Sequence, residues 1–90
     1  MADALVKADD LEVNEIPDGY VIYQNSRDRV HYLNKMAAIV FELCDGEHDT
    51  QGIVQCVAEL LRRERTACDQ EVRECIEQLS TEGLVLFRSM

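Results

Sequence analysis

Apolar and polar residues alternate over one stretch near the start of the chain. Leu11, Val13 and Ile16 are apolar, with Glu12, Asn14 and Glu15 between them. That period of two describes a half-exposed strand. Pro17-Asp18-Gly19 is turn chemistry: proline presets φ and glycine tolerates positive φ. Tyr20 to Gln24 (YVIYQ) reads as a second strand, Asn25 to Asp28 as a polar hairpin loop, and Arg29 to Asn34, with Val30 and Tyr32, as a third strand. Short connections between consecutive strands predict an antiparallel meander.

The period then changes. From Met36 to Cys44 nearly every position is apolar, which predicts a helix buried on several sides. Asn34 is placed to cap it, and Asp45-Gly46 to end it. A second helix is predicted from about Gln51 to Arg63, with Ile53, Val57, Leu60 and Leu61 inward and Asp49 or Thr50 as cap. A third is predicted over Asp69 to Thr81, with the stripe Val72, Cys75, Ile76 and Leu79 and a capping box at Thr66 to Asp69. Leu84 to Phe87 reads as an extended segment laid on the core. Met1 to Asp10 has no period and reads as a flexible arm, so the expected division is an arm over 1–10 and one domain over 11–90. The fold class that follows is α+β: a three-stranded antiparallel sheet followed by three helices, like a winged helix-turn-helix.

Composition narrows the function. Ninety residues, 47% of them hydrophobic, make one globular domain with little room for a deep enclosed site. No apolar run approaches the roughly 20 residues that cross a bilayer, and the N-terminus lacks a basic-then-apolar signal pattern, so no membrane partner and a cytoplasmic location are expected. Acidic residues outnumber basic ones 18 to 9, for a net charge of −9. DNA affinity comes largely from Lys and Arg displacing counterions, so nucleic acid is not the expected partner. The predicted third helix repeats the point, with Arg73 set among Glu71, Glu74, Glu77 and Glu82. Arg62, Arg63 and Arg65 read as a solvated helix end, where cations favour the dipole.

Candidate chemistry is sparse. Cys44, Cys56, Cys68 and Cys75 show no C-x-x-C spacing of the kind zinc sites use. Three read as small core hydrophobes. Cys68, expected just before a helix, is the one placed to react. His31 and His48 lie in different elements, the carboxylates spread over solvated faces, and no glycine-rich phosphate loop occurs. No catalytic residue, metal site or cofactor is expected. What remains is the third strand, which at a sheet edge offers unpaired backbone groups for an added strand.

The run Tyr32-Leu33-Asn34, the Ala37-Ala38 pair and Leu43-Cys44-Asp45-Gly46 resemble the family of the small coenzyme PQQ synthesis protein D, also described as the RiPP precursor peptide recognition element. Ile53, Val72 to Leu79 and Gly83-Leu84-Val85 continue the likeness, which spans about residues 16 to 87. It implies a non-enzymatic peptide chaperone without cofactor. In that family the leader segment of a ribosomally made precursor pairs with the third strand and packs against the third helix. Carried onto this chain, Arg29, Val30, His31, Tyr32 and Leu33 would supply the backbone ladder. Val72, Arg73, Ile76 and Ser80 would line the groove, with Arg29 and Arg73 open to acidic leader side chains. Val72 and Ile76 read equally as core stripe. The implied partners are the leader and a peptide-modifying enzyme, of the radical S-adenosylmethionine type or similar, bound by a monomer or strand-exchanged homodimer. The alternatives are a winged-helix transcription regulator and a self-associating structural subunit.

Overall fold

The computed structural model describes residues 3–89. Strands β2 (Leu11–Ile16), β3 (Gly19–Gln24) and β4 (Arg29–Asn34) form an antiparallel meander in the order β2-β3-β4, with Gly19 opposite Asn34 and Ile22 opposite His31. A single 3-10 turn, Asn25–Arg27, joins β3 to β4. Helices α1 (Lys35–Glu42), α2 (Thr50–Leu61) and α3 (Arg65–Thr81) follow. The expected α+β class and its meander are therefore present.

A second, two-stranded sheet pairs β1 (Asp3–Lys7) with β5 (Val85–Ser89). This corrects the expected arm over residues 1–10; Met1 and Ala2 lie outside the described residues. Leu5 is fully buried, its N–H donates to the His48 carbonyl at 3.0 Å, and its own carbonyl accepts from Gly46 at 2.8 Å. The pairing joins opposite ends of the chain, so the local sequence carries no sign of it.

The cap expected for α1 is present: the Asn34 side chain accepts from the Ala37 N–H at 2.9 Å. The helix ends at Glu42, earlier than Cys44, because the last turn tightens, with Leu43 N–H shared between the Ile39 and Val40 carbonyls. Asp49 caps α2 by accepting from Gly52 N–H at 2.8 Å. Arg62 takes φ 53 and stops α2 there, short of Arg63; Ile53 and Val57 are buried as expected, but Leu60 and Leu61 in the last turn are exposed rather than inward. Helix α3 begins four residues before the expected Asp69, from the uncapped Glu64, so Thr66 to Asp69 form helix and not a capping box. The cause is Cys68, which is fully buried and extends the Val72–Ile76–Leu79 stripe by one turn. The expectation of a reactive Cys68 falls with it. Phe41, Val40, Ile53, Val57, Val72 and Leu84 meet between the helices and the two sheets as one core.

Gly19 sets the register of the meander. Its φ of 150 lies where side chains are strained, and a Cβ there would collide with the Leu33 carbonyl across the ladder. Gly19→Ala is expected to cost about 3 kcal/mol, read as a fall of roughly 12 °C or more in Tm by circular dichroism. An unchanged Tm would contradict this account of the turn.

Candidate functional site

Strand β4 is an edge. The clash at Gly19 shows that the Leu33 carbonyl turns toward β3. In an antiparallel ladder a residue's N–H and C=O share one side, and successive residues alternate. Arg29, His31 and Leu33 therefore bond β3, while Val30 and Tyr32 turn their N–H and C=O to the open side. The side chains alternate too: Val30 and Tyr32 stand 67% and 60% exposed, whereas His31 and Leu33 are buried.

Beside this edge lies a groove of about 320 Å³. One wall is Val30 to Asn34 of β4, with Ala37 at its end. The other is the C-terminal half of α3 with its C-cap: Cys75, Gln78, Leu79 and Glu82. These four recur at the three- and four-residue spacing of one helix face. Leu33 and Leu79 supply an apolar floor.

Of the residues the sequence singles out, the structure brings Val30, His31, Tyr32 and Leu33 to the groove and leaves Arg29 outside its lining. Val72 and Ile76 are buried in the core and do not line the groove. Arg73 and Ser80 face the far side of α3, near Thr50 and Phe87, and Arg73 Nε donates to Asp69 at 2.9 Å. Cys75 and Leu79 were legible as part of the apolar stripe. Gln78 and Glu82 were not, because their face becomes a wall only once α3 is docked beside β4.

Polar groups close one end of the groove. His31 Nε2 lies 3.0 Å from Gln24 Oε1, and its Nδ1 lies 3.1 Å from Glu82 Oε2. The Gln24 amide nitrogen donates to the carbonyls of Glu82 and Gly83 at 3.3 and 3.4 Å. Along α3 the Glu71 carboxylate is held by Arg63 at 3.2 Å, while Glu74 has no ion pair among the described residues. Of these acids Glu82 lines the groove, while Glu71 and Glu74 lie near Cys75.

Two of the thiols, Cys44 and Cys75, are held neutral. Burial, with the Glu71 and Glu74 carboxylates adding to it, pushes the Cys75 thiol up. Burial pushes Cys44 up to about 12, from a usual 9.0, and its thiol donates to the Val40 carbonyl at 3.3 Å. Such thiols are poor nucleophiles near neutral pH. A thiol whose ionisation is suppressed by folding binds its proton more tightly in the native state, so stability falls as pH rises from about 9 toward 12. Cys44→Ala is expected to flatten that alkaline slope in denaturant melts. An identical slope in both proteins would contradict the assignment. Among the described residues no cluster of three or more His, Cys, Asp or Glu is placed to hold a metal ion, and no helix is long and apolar enough to cross a membrane.

Two solved structures share this fold. A lasso peptide synthetase B1 complexed with the leader peptide superposes with a TM-score of 0.75 at 18% identity, covering 91% of this chain and 96% of that one. TbiB1 in complex with the TbiA(beta) leader peptide gives 0.75 at 15% identity, covering 89% and 93%. Among curated proteins none matches the chain. The profile of the family described as Coenzyme PQQ synthesis protein D (PqqD) matches residues 19–85, which span β3, β4, all three helices and the first residue of β5. The chain belongs to the PqqD family.

Proposed function

We propose that this protein is a non-enzymatic binder of precursor-peptide leaders. The leader adds to β4 as a further strand, sets alternate side chains into the groove against α3, and is presented to a modifying enzyme of the radical S-adenosylmethionine type or similar. The observation that carries the reading is the unpaired edge of β4 standing beside a groove with an apolar floor. Backbone bonds would supply affinity and the groove selectivity. The two structural neighbours, each a complex with a leader peptide, support it by likeness of fold. The contacts run through Val30, Tyr32 and the backbone of Arg29 to Leu33 on one side, and Cys75, Gln78, Leu79 and Glu82 on the other. Binding takes no cofactor, and the working unit is the whole of β1 to β5 in the cytoplasm.

The charge preference differs from the sequence expectation. With Arg73 turned away, Glu82 in the helical wall and the Glu71 and Glu74 carboxylates near Cys75, a basic leader side chain fits better than an acidic one. Calorimetric titration with the candidate leader encoded beside the gene should give one saturable site with Kd near micromolar, about −8 kcal/mol. No heat and no competition at millimolar peptide would remove the proposal. A winged-helix regulator is disfavoured by the net charge of −9. Self-pairing through the same β4 edge remains compatible with leader binding, and light scattering that becomes monomeric on adding leader is the expected sign of it.

A further inference from the structure

Three polar side chains meet where β4 passes the end of α3, and their hydrogen bonds fix where the protons lie. Gln24 is 2% exposed. Its side chain faces two backbone carbonyls, Glu82 O at 3.3 Å and Gly83 O at 3.4 Å. Carbonyls only accept, so the amide nitrogen must be the end that faces them, and Oε1 is left toward the imidazole. His31 Nε2 must then carry a proton to donate across 3.0 Å. On the other side of the ring the Glu82 carboxylate also only accepts, across 3.1 Å, so Nδ1 needs a proton as well. A neutral ring satisfies one of the two contacts and sets a lone pair against an oxygen at the other. The opposite tautomer would require Gln24 to flip and aim its oxygen at both carbonyls. Glu82 keeps 32% of its side chain exposed, so water favours its ionised form over a shared neutral pair.

We infer that His31, in its doubly protonated form, is a positioning residue that clamps the two walls of the groove together through Glu82. The ring sits on the edge strand and the carboxylate just past the last turn of α3. Their bond fixes the separation of β4 from the helix at that end of the groove. The other charged groups near the clamp are Arg27, whose Nη1 donates to the Glu82 carbonyl at 3.4 Å, and Arg29, exposed on β4. Both are guanidinium cations that stay charged over the range in which histidine titrates, so neither changes with the ring. Loss of that proton leaves a ring lone pair facing a carboxylate, and Glu82 swings toward solvent. The consequence for the leader rests on the function proposed above: its affinity follows the charge of His31.

The clamp is tested in the free full-length chain, without any peptide. Long-range proton–nitrogen spectra of the histidine rings and backbone amide spectra are recorded between pH 5 and 8, where histidine changes charge. At the acid end both ring nitrogens of His31 should carry protons. On raising the pH, Nδ1 should lose its proton, Nε2 should keep it, and the amides of Glu82, Gly83 and Leu84 should move along the same curve. In Glu82→Gln the new side chain can either accept from or donate to Nδ1, so the ring should still titrate while those three amides stay still. A neutral ring protonated at Nδ1, or amides that ignore the ring in the folded wild type, would overturn the inference. With the candidate leader encoded beside the gene, affinity should drop about fivefold across the same range in the wild type and stay level in Glu82→Gln. A clamp that titrates as described beside a peptide that never binds would remove the leader reading and leave the clamp standing.

Discussion

Replacing Tyr32 by proline is expected to weaken leader binding by about 10- to 100-fold while the protein stays folded. The argument is one of direction. The Leu33 carbonyl faces β3, so the Tyr32 N–H faces away from the sheet and takes no part in the β3-β4 ladder. Proline is tolerated in an edge strand when its missing N–H points to solvent. An added strand would meet a ring where it needs a donor, and would lose the neighbouring bond to the collision as well. The same exchange at His31 or Leu33 has the opposite signature, since it strikes a ladder bond to Ile22 or Tyr20 and unfolds the meander. The check is calorimetric titration of the leader beside circular dichroism of each variant. A folded Tyr32→Pro protein that binds as well as the wild type would exclude strand addition at β4.

Shortening Leu5 to alanine is expected to cost about 2–5 kcal/mol, the range for a fully enclosed leucine that leaves a cavity behind. Leu5 is one of the largest side chains with no solvent exposure, and it belongs to the same core cluster as Phe41 and Val85. Its strand also shields β5, whose outer residues Leu86 and Phe87 are already half exposed. The loss should appear in urea as a lower midpoint with an unchanged slope, the mark of altered stability rather than altered extent of unfolding. A midpoint equal to the wild type would mean that residues 3–7 are the loose arm the sequence suggests. The two variants separate cleanly: Leu5→Ala alters stability with leader contacts intact, and Tyr32→Pro alters leader contacts with stability nearly intact.

The meander was legible because each of its strands carries its own signal. Val13, Val21 and Val30 sit in alternating or β-branched runs, and Pro17 to Gly19 and Asn25 to Asp28 mark the turns between them. The caps at Asn34 and Asp49 were legible for the same local reason. What escaped is long-range. Strand β1 exists because Val85 to Ser89 returns to pair with it, a closure of more than seventy residues that no window of sequence contains. The start of α3 escaped because Thr66 to Asp69 carries the composition of a cap, while the burial of Cys68 extends the helix through it. The groove was half legible. An edge strand follows from the meander, but which face of α3 looks at it depends on docking. A rotation of the helix by about a quarter turn exchanges Val72 and Ile76 for Cys75 and Glu82.

The most direct test is a two-dimensional amide titration of isotope-labelled protein with the candidate leader encoded beside the gene. Strand addition at β4 predicts saturable shifts concentrated at Arg29 to Asn34 and at Cys75 to Glu82, with little change in α2 or the β1-β5 sheet. Shifts centred instead on the Thr50, Arg73 and Phe87 side of α3, or a folded spectrum indifferent to the peptide, would contradict it.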